Sequence, residues 1–118
     1  MAKRSVKSQY VGIDVSAKTL QVAIGGPDGV RDLEIPNDAA GHQKLCKLLT
    51  KKDVSVRVCL EATGNYSLDV AIALTATKGV EAMIVNPRSA RHFADAQLRR
   101  AKTDRVDARA LMDYAQRM

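Results

Sequence analysis

The apolar residues of this chain change period several times, and each change marks a predicted element. "YVGIDVS" alternates, with Val11, Ile13 and Val15 on one side and Gly12 and Asp14 on the other, which is the two-residue period of a strand. After the turn "SAKT", the run "TLQVAIGG" repeats the alternation through Leu20, Val22 and Ile24. "GGPDG" reverses the chain and "VRDLEIP" supplies a third strand, so the opening predicts a three-stranded antiparallel meander. Asn37 or Asp38 then caps a helix expected to run through Lys52. Leu45, Leu48 and Leu49 give its i, i+3, i+4 apolar spacing, and Lys44, Lys47, Lys51 and Lys52 its wet side.

"VSVRVCLEA" is nearly continuous in apolar, β-branched character, the signature of a central strand buried on both faces, and Glu61 closes it. "TGNY" turns the chain, with Asn65 as the expected N-cap of a largely apolar helix, "YSLDVAIALTATKG", closed by Gly79. "VEAMIV" reads as another buried strand. Asn86 followed by Pro87 starts a helix through "PRSARHFADAQ". "LRRAKT" then breaks the apolar period, and Thr103 caps a last helix from about Asp104. No internal repeat or low-complexity linker interrupts the series, so residues 1–118 are expected to form one domain.

Three strands, helix, strand, helix, strand and helices make a mixed α/β order, antiparallel at the start and parallel in the middle. That is the order of the ribonuclease-H-like fold, a mixed central sheet with helices on both faces. In it the first and fourth strands are neighbours at the sheet centre, and a late helix packs across their ends. Asp14, Glu61, Asp104 and Asp107 are therefore expected to converge, the last two sharing one helix face at i and i+3.

Taken singly, each of these residues has a simpler role. Asp14 suits a turn, Glu61 the start of a helix, and Asp104 and Asp107 a first helical turn where acidic groups complement the macrodipole. Their joint placement points elsewhere. Four carboxylates repel one another unless a cation lies between them, and an all-oxygen set selects Mg²⁺ or Mn²⁺ over zinc. Two such ions about 4 Å apart activate an attacking oxygen and stabilise a leaving oxygen in phosphodiester displacement.

Charge sharpens this picture. The chain carries a formal +6, which favours a polyanionic partner, while aromatics at 3% and the absence of Trp argue against a base-stacking platform. Arg88, Arg91, Arg99, Arg100, Lys102, Arg105 and Arg109 form a cationic run beside the proposed site, where guanidinium groups can grip phosphate oxygens. Cys46 and Cys59 lack a CxxC or His-paired spacing and read as small hydrophobes with free thiols. No His is spaced to activate Ser16, Thr63, Ser67 or Thr103, so covalent catalysis is disfavoured, and no apolar run reaches membrane-spanning length. The expected location is the cytosol. Two other readings stand beside the metal-dependent one: a nucleic-acid-binding module without chemistry, and a nucleotide-binding lobe of an actin-like ATPase, whose phosphate-gripping glycine turns are missing here.

"GIDVS", "LEATGNY", "NPRSARHFA" and "KTDRVDARAL", in this order and spacing, resemble the N-terminal domain of the DEDD insertion-sequence transposases, the IS one-ten family related to the Piv DNA invertase. The resemblance spans nearly the whole chain and puts the family's tetrad on Asp14, Glu61, Asp104 and Asp107. It implies a domain similar to the Holliday-junction resolvase RuvC, two Mg²⁺ or Mn²⁺ ions, DNA as substrate, in some members a guide RNA, and homo-oligomers of the full-length enzyme. It also implies a second domain supplying a nucleophilic serine. This chain ends at Met118, so the expectation is half of a composite active site, inactive by itself.

Overall fold

The computed structural model describes residues 7–26, 29–50, 54–61, 64–85 and 108–117. Five strands form one mixed sheet: β1 (Lys7–Val15), β2 (Thr19–Gly26), β3 (Gly29–Pro36), β4 (Val54–Glu61) and β5 (Val80–Val85), in the order β3-β2-β1-β4-β5. The first three make the expected antiparallel meander, and β4 and β5 add in parallel beside β1. A one-residue slip in any pairing would turn its apolar row to the wrong face, so the alternation itself fixes the register. Ile13 pairs with Val22 on one side and Leu60 on the other, placing three aliphatic side chains in one row.

Helices α1 (Ala39–Leu49) and α2 (Leu68–Thr75) cover that row. Ile13, Leu20, Ile35, Leu45, Leu60 and Leu74 are fully buried between helices and sheet. Helix α3 (Ala108–Arg117) lies on the opposite face, with Ala108, Leu111, Met112 and Ala115 turned inward at helical spacing. Its closest partners there are small, Gly12, Ala23 and Cys59, with Tyr10, Met83 and Val85 packed around them. A Cβ on Gly12 would overlap the carbonyl of Ala108 and the amide nitrogen of Met112, so the absence of a side chain sets how closely α3 approaches.

Several boundaries differ from the sequence expectation. Helix α1 ends at Leu49, not Lys52, because Thr50 turns extended (φ −94°, ψ 96°); its hydroxyl donates to the Cys46 carbonyl at 2.6 Å. Asn65 does not cap α2: it lies within a 3-10 turn (Gly64–Ser67), and Ser67 precedes the α-helix. That helix stops at Thr75, and Gly79, with φ +86°, serves the turn into β5 rather than the helix end. Strand β5 is an edge strand rather than a buried one, and only Val85 of its residues is buried while Ile84 is exposed. The expected helix from Pro87, the Thr103 cap, and Lys51 and Lys52 lie outside the described residues.

Candidate metal and nucleic-acid site

Parallel pairing carries β1 and β4 forward together through Gly12 with Cys59 and Ile13 with Leu60. The next step brings Asp14 and Glu61 to the same end of neighbouring strands. Period-two alternation puts both on the face of Gly12 and Cys59, the one that α3 covers. Helix α3 is oriented along this face. Its first described residue, Ala108, packs on Gly12 and Ala23, whereas Arg57, two residues before Cys59, donates through Nη1 to the carbonyl of Ala115 at 3.3 Å. The helix thus starts toward the carboxylate end of the sheet and finishes toward the other.

Asp14 and Glu61 are both half-buried. Asp104 and Asp107 lie outside the described residues, and among the described ones no group of three or more His, Cys, Asp or Glu comes together. The local electrostatics are nonetheless informative. The Cys59 thiol is pushed up to about 12, first by burial and second by the negative charge of Glu61. Cys59 is buried in a cluster with Leu111 and Ala115 of α3. The two carboxylates at this edge offer oxygen donors, which fit a hard divalent cation.

Of the cations expected to contact phosphate, Arg88, Arg91, Arg99, Arg100, Lys102 and Arg105 lie outside the described residues. Arg109 is described: on the first turn of α3 it forks onto both carboxylate oxygens of Asp32 in β3. This pairing holds the Asp32 carboxyl below its usual value of 3.8. Ser16, set aside as a nucleophile, is a turn residue whose hydroxyl donates to the Thr19 carbonyl at 2.9 Å. No helix among the described residues is long and apolar enough to cross a membrane.

Sequence reasoning missed the part played by Asn37. Asp38 takes the N-cap, its Oδ1 accepting from the Gly41 amide at 2.8 Å, which frees the neighbouring Asn37 for another use. The Asn37 amide donates to the Ser16 carbonyl at 2.8 Å and to that of Tyr66 at 3.0 Å, while its Oδ1 meets His42 Nε2 at 2.7 Å. A cavity of about 290 Å³, lined by Asn37, Asp38, His42, Tyr66 and Asp69 among others, opens beside this network. The signal in the sequence was two adjacent residues competent to cap one helix.

The model of the IS110-type DEDD family, described as "Transposase", matches residues 11–118. Among solved structures, RuvC of T. thermophilus in complex with a Holliday junction substrate superposes with a TM-score of 0.56 at 15% identity, covering 89% of this chain and 90% of that one. The fold is thus RuvC-like. No curated protein matches significantly.

Proposed function

The chain belongs to the IS110-type DEDD transposases, and on that premise we propose that it is the catalytic domain in which Asp14, Glu61, Asp104 and Asp107 hold divalent metal against a DNA phosphodiester. The observation that carries this reading is the pairing of Asp14 and Glu61 at one end of adjacent parallel strands, on the face where α3 begins. Asp107 immediately precedes Ala108, and Asp104 comes three residues earlier, so both are near in sequence to that end. Mg²⁺ or Mn²⁺ would supply Lewis acidity and an activated oxygen. The residues of the chain hold and space the ions, and the cations of 88–109 bind the flanking phosphates.

Binding should be weak without nucleic acid, because such ions normally complete their coordination with substrate phosphate. The decisive measurement is manganese water-proton relaxation with the wild-type chain and Asp14→Ala. Enhancement that disappears in the variant supports the reading, whereas enhancement that persists unaltered places the ion elsewhere. Repeating the titration with duplex DNA and with structured RNA tells which polyanion tightens the metal. A preference for RNA would bring a guide into the reading.

A further inference from the structure

A pair of carboxylates at strand ends is useful only if the segments leaving those strands hold still. The chain departs from Asp14 through Ser16 and from Glu61 through the turn containing Tyr66, and these segments are distant in sequence. One side chain joins them. Asn37 uses both hydrogens of its amide, one on the Ser16 carbonyl at 2.8 Å and one on the Tyr66 carbonyl at 3.0 Å. Both acceptors are carbonyls, so the nitrogen must face them and the oxygen must face His42. His42, which is 93% buried on α1 by virtue of a 7% exposure, then donates from Nε2 to that oxygen at 2.7 Å. The Asn37 backbone is itself tied, its amide donating to the Lys18 carbonyl at 2.9 Å.

We propose that Asn37, oriented by His42, is a positioning residue for the metal-binding carboxylates: it clamps the segment after Asp14 to the segment after Glu61 and so fixes the spacing of the pair. The inference rests on the metal reading given above, and it concerns a residue whose side-chain hydrogen bonds go to Ser16, Tyr66 and His42. Groups hydrogen-bonded to metal ligands commonly control affinity by about 10- to 100-fold, and Asn37 acts one step further out, through the backbone. An asparagine is required because the site needs two donors and one acceptor in one short planar group.

Asn37→Asp is the sharpest test. It keeps the shape, the tie to Lys18 and the acceptor for His42, but it cannot donate to two carbonyls. It also adds negative charge, which by simple attraction would tighten a cation. The clamp makes the opposite demand: Mn²⁺ affinity by relaxation should fall about 10-fold, the low end of what losing a ligand's direct hydrogen-bond partner costs, in Asn37→Asp and in Asn37→Ala. His42→Gln retains an N–H toward the Asn37 oxygen and should restore near-wild-type affinity where His42→Leu does not. Hydrogen exchange is read in parallel, and faster exchange at both 16–19 and 64–67 in Asn37→Asp is expected with the β1–β4 ladder unchanged. Unaltered exchange at either segment overturns the clamp, and so does unaltered or tighter Mn²⁺ binding in Asn37→Asp. If the wild-type chain binds no Mn²⁺, the metal reading fails by itself. The clamp is then decided by exchange: joint acceleration of the two segments supports it, and acceleration of one or neither overturns it.

Discussion

The two faces of the sheet are built on opposite principles. Under α1 and α2 the strands present Val11, Ile13, Leu20, Val22, Ile35, Val56, Val58 and Leu60, a continuous layer of branched aliphatics that meets Leu45, Leu49, Val70 and Leu74. Under α3 the strands present Gly12, Ala23 and Cys59 at the closest approach, flanked by Tyr10, Met83 and Val85, and the helix answers with Ala108 and Ala115 beside Leu111 and Met112. The first face maximises apolar area removed from water, worth roughly 25 cal/mol per Å². The second gives up area for proximity. Small residues let the α3 backbone come down onto β1, close to the strands that end in Asp14 and Glu61. One face serves stability and the other serves position.

If that division holds, damage to the two faces should have different consequences. Leu45→Ala opens a hole in the aliphatic layer and should lower stability by about 2–5 kcal/mol, the largest effect expected here. The Mn²⁺-dependent rise in melting temperature should nevertheless survive, since no part of the carboxylate edge has moved. Gly12→Ala is the mirror experiment. Its Cβ collides with backbone atoms of Ala108 and Met112, which no rotamer change can relieve, so α3 must lift. The stability cost should be about 1–3 kcal/mol, smaller than for Leu45→Ala, yet the metal-dependent rise should shrink. Thermal melts with and without Mn²⁺ read both quantities. Equal loss of the metal response in the two variants would show that the faces are not separable.

The aliphatic face was also the more legible in sequence. Its strands announce themselves by strict alternation at Val11, Ile13 and Val15 and at Leu20, Val22 and Ile24, and the mixed topology follows from their order. The places where sequence reasoning went astray lie where the apolar period does not decide the outcome. Thr50 ends α1 early by turning extended, although the apolar period and the lysines beyond it suggest continuation. "VEAMIV" looks buried because composition does not distinguish a central strand from an edge, and only the sheet order puts β5 outermost. At the candidate site, Asp14 and Glu61 were legible as strand-end acids. The tie between their two exits was not, because Asn37 reaches partners 21 and 29 residues away and no local pattern encodes that.

A subtler variant tests the positional face without touching its packing. Asp14 and Glu61 already share one sheet end, and the proposed reading adds Asp104 and Asp107 to them. Without metal the four charges would repel near neutral pH, so an isosteric neutral residue should relieve strain. Asp107→Asn should therefore melt slightly higher in the metal-free state, by about 1 kcal/mol or less, while its metal-dependent gain becomes smaller. Both shifts are required. A lower metal-free melting temperature with an intact metal response would make Asp107 a helix-start residue that complements the α3 macrodipole.

The smallest effect concerns the one phosphate-contact candidate that the structure describes. Arg109 stands on the positional face but forks onto Asp32 at its exposed margin. An exposed pair contributes little to stability, so Asp32→Asn should leave the melting temperature nearly unchanged. It also removes the Asp32 carboxylate as a competitor for the guanidinium, and if Arg109 contacts phosphate the variant should bind DNA more tightly at low salt. The log–log salt slope should steepen by about one. The pH dependence has a definite sign. Arg109 holds the Asp32 carboxyl below its ordinary 3.8, so what stabilisation the pair gives is present above that value and is lost only as pH falls further, through the depressed one. Between pH 5 and 8 the difference in DNA affinity between wild type and Asp32→Asn should accordingly stay flat. An unchanged salt slope in Asp32→Asn, measured by fluorescence anisotropy at several salt concentrations, would mean that Arg109 fastens α3 to β3 and takes no phosphate. The cationic contact surface would then belong to the other basic residues of 88–105.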